Sequence, residues 1–394
     1  MSTSTQPSPA VGTMASPIGA RVDFARLRAE RRSRLFTAMA EHDLDVLVLG
    51  RPASVAYASG ARQLWTAGSR PFGPACVVVA ATGRTHLLSV DDEGVPPELS
   101  HDDLFGLSWN PTNLVASLRA IPGLGGARRV GTDSLSPGFP RLVEALAPDA
   151  EVVDGSPALW AARTVKTPDE LACITTATAI AEAAMSSMVD ALHPGASERE
   201  LQAAYLERIA LLGAPTPPTD GVAWATARHG AVRLSQRVTE HRVAEGELVV
   251  LDPSAMFAGY EGGVGRTWLV GRAGPNAAQR ELAARCGAML AAVVAACRPG
   301  ATGTDLRNAW TATGEPLPPI PIVHGLGLGA EPPLVTGDGI GDGAVLEAGT
   351  VLSVTAWVTA GEVGGFLERE TVLVTDDGAH VLSRYGHGPA GEER

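Results

Sequence analysis

The sequence predicts an α/β N-terminal domain followed by an α+β domain made of two pseudo-symmetric halves. Three observations lead there. Helical and extended patterns alternate over the first 155 residues, and a helix–turn–helix passage recurs in the second half of the chain. The chain has 394 residues, 45% hydrophobic and 19% charged, enough for two buried cores at roughly 100–200 residues per domain. The expected layout is a disordered tail over 1–21, the α/β domain over 22–155, a linker over 156–166, the second domain over 167–388 and a short tail over 389–394.

Residues 1–21 are rich in Ser, Thr, Pro and Ala, without the basic start and apolar run of a secretion signal, and read as a tail. Asp23 is placed as the N-cap of a helix with Phe24, Leu27, Leu35 and Met39 among its apolar positions. Residues 45–50 read as a buried strand, and 75–80 with 84–90 as a hairpin across Thr82-Gly83. Shorter strands at 129–131 and 151–153 flank a helical stretch near 141–146, and residues 155–165 read as the hinge. The second domain opens at Thr167-Pro168-Asp169-Glu170, a capping box with proline in the first helical position. Leu171, Ile174, Ala177, Ala181, Met185, Met188 and Leu192 then form one apolar stripe, stopped at His193-Pro194-Gly195.

The repeat carries the architecture of this half. Residues 191–204 read ALHPGASERELQAA and residues 296–309 read ACRPGATGTDLRNA, an offset of 105. Each copy leaves an alanine-rich helix, turns at Pro-Gly and restarts with Ser or Thr ahead of an acidic residue and Leu. Duplication predicts two related halves with a site between them.

Charge and composition exclude several functions. Forty-three acidic against 31 basic residues give a net charge of -12, which argues against a nucleic-acid partner. Lys166 is the sole lysine and sits in the linker, a poor place for Schiff-base chemistry. Cys76, Cys173, Cys286 and Cys297 form no C-x-x-C pair, as free thiols in a reducing compartment would be arranged. The apolar stretch 288–297 is far short of the ~20 residues of a membrane span. A cytoplasmic protein is expected, with no membrane partner.

Two places could carry chemistry. Residues 249–268, VVLDPSAMFAGYEGGVGRTW, run from an apolar strand into Asp252, turn at Gly259-Tyr260 and return to Arg266-Thr267. A carboxylate ending a buried strand needs a cation, a metal or hydrogen-bond donors, although Asp252-Pro253 is equally ordinary turn chemistry. Residues 319–334, PIPIVHGLGLGAEPPL, place His324 at the end of a β-branched run against alternating glycines. Such glycines let backbone approach a ligand or mark a bulged strand, and the histidine reads either as catalytic or as structural.

Taken in order, these segments resemble the creatinase and aminopeptidase P family, which includes prolidase and methionine aminopeptidase. The landmarks are residues 163–170 (RTVKTPDE), Gly246-Glu247-Leu248-Val249 before Asp252, residues 324–328 (HGLGL), residues 346–354 (LEAGTVLSV) and residues 370–378 (ETVLVTDDG). The resemblance spans roughly residues 22–385 and implies a creatinase-like N-terminal domain and a pita-bread catalytic domain.

The resemblance also implies a pair of metal ions held by two Asp, one His and two Glu. Only Asp252 and His324 survive here. The other positions hold Gly263, Thr355 and Arg369, and a one-residue slip toward Glu368 or Glu370 leaves Gly263 and Thr355 as gaps. No metal and no cofactor are therefore expected. Creatinase, the family's metal-free precedent, is closer in local wording at residues 364–366 and 68–72, yet its histidine falls on Ser235, flanked by His229 and His241 out of register, and its glutamates on Gly265 and Thr355. By that resemblance Arg70 comes from the neighbouring subunit of a homodimer and holds a substrate carboxylate.

The residues left around the expected cavity are Asp252, His324, Ser235, Thr355, Arg266, Glu261, Glu331 and Arg369, with Trp65 and Trp357 as an apolar wall. Glu331 and the tryptophans have plain structural readings too, a loop cap and core. The leading expectation is a metal-independent enzyme acting on a small amino-acid-like or amide substrate by C–N hydrolysis or a related acid–base or elimination step. His324 is its acid–base group and Asp252 the orienting partner. The alternatives are an Xaa-Pro-type metallopeptidase with a degenerate or mononuclear site and a non-catalytic binding protein.

Overall fold

A computed structural model describes residues 22–61, 75–89, 92, 94–106, 111–133, 138–214, 216–219, 221–228, 231–234 and 237–386. Both expected tails, Trp65, the 68–72 segment with Arg70, His229 and Ser235 lie outside the described residues.

The chain divides into two compact units that meet between Thr167 and Pro168. The first contains α1 (Phe24–Glu41), β1 (Val46–Leu49), α2 (Pro52–Ser59), β2 (Cys76–Val79), β3 (Arg84–Leu88), β4 (Leu104–Phe105), α3 (Pro111–Arg119), β5 (Arg129–Thr132), α4 (Gly138–Leu146), β6 (Glu151–Asp154) and α5 (Ser156–Arg163). Asp23 caps α1 as expected, its carboxylate accepting from the amides of Ala25 and Arg26. The strands form one sheet in the order β4-β3-β2-β1-β5-β6, with β1, β5 and β6 parallel and β1–β2 and β2–β3 antiparallel. β1 and β2 are buried on both faces, which their uninterrupted apolar sequences require.

One expectation fails here. Residues 156–166 are not a linker, because most of them fold as α5 and bury Ala158, Leu159 and Ala162. The start is built by Asp154, whose side chain accepts from the Ser156 amide at 2.9 Å, and by Pro157 in the first turn. Lys166 is buried as well, donating to the carbonyls of Arg163 and Thr164.

The second unit begins with α6 (Pro168–Asp190) and α7 (Glu198–Leu211), followed by β7 (Ala223–Ala225), β8 (Ala227–Arg228), β9 (Ala231–Val232), β10 (Leu248–Leu251), β11 (Ser254–Phe257), β12 (Tyr260–Gly263) and β13 (Arg266–Leu269). It repeats the plan with α8 (Ala277–Ala296), α9 (Gly303–Thr311), β14 (Val323–Gly327), β15 (Gly329–Val335), β16 (Val351–Ala360), β17 (Gly364–Thr375) and β18 (Gly378–Val381). By length and apolarity alone α6 could cross a membrane; here it packs on β11 and β12 and buries Ile174, Ala177, Ala181, Met185 and Met188.

The repeat is visible bond by bond. Ser197 caps α7 in a capping box with Glu200, and Thr302 caps α9 in one with Asp305. The Gly195 amide donates to Val243 and the Gly300 amide to Leu346; the Glu198 amide donates to His241 and the Gly303 amide to Ala344. Leu201 and Tyr205 in one copy, Leu306 and Trp310 in the other, are fully buried. Strand order repeats too: β7-β10-β13 in the first half, β14-β16-β17 in the second. A shared core joins them, with Trp224, Val250 and Leu269 packed in one cluster with Met289, Trp310, Val354 and Phe366.

Candidate functional site

The site is assembled where the second-half sheet meets the β11–β12 hairpin. In the antiparallel β14–β16–β17 sheet His324 pairs with Ser353, Ser353 with Thr371, and Thr355 with Arg369. Residues directly opposite share a face, so these five polar side chains project on one side. Leu352, Val354, Ala356, Val372 and Val374 belong to the core cluster on the other side, where α8 packs. The strand breaks register between His324 and Gly325, so the histidine sits at the bulge that its glycine-rich sequence allows.

Asp252 follows β10, its amide held by the Val222 carbonyl at 2.8 Å. Its Oδ1 lies 2.7 Å from Arg369 Nη2, an ion pair with both side chains largely buried. The guanidinium is not aimed squarely at that oxygen. Nη2 also reaches the Asp252 carbonyl at 3.5 Å, and Oδ1 retains hydrogen-bonding capacity, as does the buried Nε of Arg369. Burial raises the Asp252 pKa, opposed by the charges of Arg369 and Arg266.

His324 is half-buried, and its pKa is pushed down to about 4 by burial and by the nearby Arg369 charge. This corrects the expected His324–Asp252 dyad. A neighbouring carboxylate raises an imidazole pKa, whereas here the arginine dominates the electrostatics of both groups. Asp252 has Arg369, not His324, as its partner.

Glu261, on β12, joins the centre electrostatically: burial raises its pKa, Arg369 opposes that shift and Asp252 adds to it. The β11–β12 turn is Ala258-Gly259, both at positive φ, one residue earlier than the sequence suggested. Thr355 is buried beside Arg369 on the adjacent strand.

The remaining expected site residues are placed elsewhere or differently. Arg266 is 1% exposed and spends its guanidinium on the fold. Nε donates to Gly386 O at 3.3 Å, Nη1 to the carbonyls of Gly265 (2.8 Å) and Arg369 (2.9 Å), and Nη2 to Glu370 Oε1 (2.6 Å) and Tyr385 O (2.8 Å). All five N–H groups are thereby engaged, so its expected substrate-binding role gives way to that of a clamp. Glu331 accepts from the Leu328 amide at 3.1 Å and lies over Gly327, the loop-capping reading. Trp357 stacks over Gly365 in the core, and His241 pairs with Glu247 at 3.0 Å.

One residue, Ser254, escaped the sequence reading. Ser254 is buried with its Oγ lacking a partner among the described residues, and its backbone carbonyl accepts from Tyr205 Oη at 2.6 Å. The signal was the Asp252-Pro253-Ser254 run itself, in which Ser254 faces Gly263 across the hairpin. A cavity of about 370 Å³ lined by Glu247, Asn276, Gln279 and Glu362 among others shares no residue with this centre.

Comparison with known proteins places this geometry. Residues 172–376, just over half of the chain, match the model of metallopeptidase family M24, and residues 31–165 match that of the creatinase/prolidase N-terminal domain. The chain belongs to metallopeptidase family M24. It is 26% identical over 368 residues to an Xaa-Pro dipeptidase of Pyrococcus horikoshii, covering 90% of this chain and 97% of that one. It is 28% identical to the Xaa-Pro dipeptidase of Pyrococcus furiosus over 56% of this chain, spanning 64% of that relative's length. Among solved structures, a prolidase from Pyrococcus horikoshii superposes with a TM-score of 0.75 at 23% identity, covering 91% of this chain and 99% of that one. The dipeptidase PepE of Mycobacterium ulcerans gives 0.75 at 22% identity, with coverages of 94% and 98%. The expected creatinase-like and pita-bread fold is therefore the fold of this M24 chain.

The metal pair implied by the family does not fit these residues. No cluster of three or more His, Cys, Asp or Glu suited to a metal occurs among the described residues. An ideal Cβ on Gly263 would lie 3.2 Å from Arg369 Nη2, and one on Gly265 would lie 2.6 Å from Asp252 Oδ1. The Asp252–Arg369 pair thus fills the room that side chains at these two glycines would need. Nor does a slip of register recover a ligand: side chains alternate along a strand, so Glu368 and Glu370 project away from the face that carries Arg369, and Glu370 is bound by Arg266.

Proposed function

We propose that this M24 protein cleaves the C–N bond of a small peptide-like or amino-acid-like amide, with Xaa-Pro dipeptides the first class to test. Arg369 supplies the fixed positive charge of the centre. The observation that carries this reading is the 2.7 Å contact of Arg369 with Asp252, which puts a guanidinium against the carboxylate left from the family's ligand set. A guanidinium stays charged at any working pH, so a carbonyl oxygen next to it becomes a better electrophile and its developing negative charge is stabilised. His324, neutral above about pH 4, accepts the proton of the attacking water and passes it to the amine nitrogen as the C–N bond breaks, leaving a carboxylate and a free amine. As negative charge develops against Arg369, the field that depresses the imidazole weakens, so its basicity rises as the reaction proceeds. Asp252 holds the guanidinium in place.

The names of the relatives support the substrate class, and their 97% coverage by this chain in one case favours a second reading, a metal-dependent Xaa-Pro dipeptidase using a rearranged site. A homodimer in which Arg70 of the N-terminal domain enters the neighbour's site, working in the cytoplasm, accompanies either reading as a proposal. Assaying proline dipeptides, creatine-like guanidino acids and simple amides, with chelator and with added manganese or cobalt, decides between them. Turnover indifferent to chelator is expected. Turnover that appears only with metal establishes the second reading, and a protein inert under every condition overturns both.

A further inference from the structure

The open end of the β11–β12 hairpin is held by two hydroxyls from outside it. Pairs in an antiparallel ladder alternate between bonded and non-bonded, and Ser254–Gly263 is a non-bonded one, because both Gly263 backbone groups turn outward to Thr371. The Gly263 carbonyl accepts from Thr371 Oγ1 at 2.8 Å, and the Gly263 amide lies 3.4 Å from the same oxygen. The Ser254 carbonyl therefore also turns away from β12, and its partner is Tyr205 Oη at 2.6 Å. Both residues are buried, so without that hydroxyl the carbonyl would be left unpaired, at a cost of roughly 1–3 kcal/mol.

This bond reaches the centre through a short, stiff run. Pro253 has no N–H and a fixed φ, so the backbone between Ser254 and Asp252 has little freedom of its own. The Pro253 carbonyl accepts from the Val264 amide at 3.1 Å, and the Asp252 amide donates to the Val222 carbonyl at 2.8 Å. Arg369 Nη2 sits 2.7 Å from Asp252 Oδ1, and it lies 3.2 Å from the same ideal Gly263 Cβ that Ser254 Cβ approaches to 2.9 Å. Burial, and after it the charge of Glu261, raises the Tyr205 pKa, so the phenol remains a donor at any working pH; the charges of Arg369 and Asp252 reach it too. The internal repeat supplies a reference. Trp310, 105 residues on, occupies the equivalent place on α9 and is equally buried, yet its Nε1 donates to Pro316 O at 3.1 Å, within its own half's helix exit. Both copies carry an aromatic donor at this position, and only the first reaches the residues of the centre.

We propose that Tyr205 is a positioning residue of this centre, its hydroxyl fixing the Asp252-Pro253-Ser254 run through the Ser254 carbonyl so that Asp252 meets Arg369. This rests on the reading above for turnover, not for the coupling itself. The test is Tyr205→Phe in the full-length protein, with Trp310→Phe as its counterpart in the other half. Each is measured by turnover of the best-cleaved proline dipeptide or amide, by amide hydrogen exchange and by chemical denaturation. Tyr205→Phe should lower kcat about 10-fold with KM little changed, as a misplaced catalytic group does, and should speed exchange across residues 252–264. Trp310→Phe should cost at least as much stability, speed exchange only near residues 310–317 and leave kcat unchanged. A Tyr205→Phe variant with unaltered kcat, one that fails to fold, or a kcat loss matched by Trp310→Phe would overturn the proposal. If the unaltered protein cleaves nothing, the hydrolase reading falls and exchange decides alone: faster exchange confined to residues 252–264 in Tyr205→Phe upholds the proposal, and unchanged exchange there overturns it.

Discussion

Two arginine–carboxylate pairs stand back to back on β17, and they serve opposite ends. Arg266 and Glu370 meet at 2.6 Å, and every remaining N–H of that guanidinium is bound to a backbone carbonyl. Arg369 and Asp252 meet at 2.7 Å with donors and an acceptor left over. A buried ion pair whose hydrogen bonds are complete reads as architecture, whereas one left incomplete reads as a receptor. Alternation along the strand separates them, since consecutive residues 369 and 370 must face opposite sides.

The contrast is broken most severely at the clamp. Arg266→Met leaves Glu370 buried and uncompensated and should cost about 3–5 kcal/mol, read by chemical denaturation. Arg369→Met should cost less than half of that, because Asp252 can take up a proton, yet it should lower turnover by about 10²- to 10³-fold. Equal destabilisation by the two changes would erase the distinction.

His324→Gln sharpens it on the open side. Turnover should fall by about 10²- to 10⁴-fold with the fold and melting temperature preserved. A variant that retains full turnover removes the histidine from the mechanism, and one that only unfolds makes it structural.

The pH profile carries the next effect. The imidazole must be neutral to accept a proton, so kcat/KM should be level from about pH 5 upward and fall only as pH drops through about 4. Removing the Arg369 charge relieves part of the depression, so in Arg369→Met the limb should move to higher pH. Stability runs the same way: an unfolded histidine takes up its proton near 6.5 while the folded one resists until about 4, so unfolding is favoured as pH falls across that window. A proton-resonance titration of the histidines placing His324 at 6.5 or above would contradict both statements. The smallest change is Gly263→Ala, whose methyl would crowd Ser254 Cβ at 2.9 Å and Arg369 Nη2 at 3.2 Å, and a few-fold loss of ligand affinity should follow.

Local patterns were legible in advance. The Asp23 cap, the hairpin over Thr82-Gly83 and the repeated Pro-Gly turn rest on neighbours in sequence, and each is found. Partnerships between distant residues were not. Arg266 looked available because the carbonyls of Tyr385 and Gly386 that consume it come from a segment with no pattern of its own. Asp252 was assigned to His324 because both survive from the family's ligand set, although the residue that reached it was the arginine on β17. The α5 helix was read as linker because eight residues have little helical stability alone and depend on burying Leu159 and Ala162.

The account turns on Arg369 standing in the place of metal, and metal content tests that directly. Protein purified without chelator and then equilibrated with manganese, cobalt, zinc or iron should, by elemental analysis after desalting, carry no stoichiometric metal that depends on Asp252 and His324. Two equivalents per chain, lost in both Asp252→Asn and His324→Ala, would contradict it and return the chain to the metal-dependent chemistry of its family.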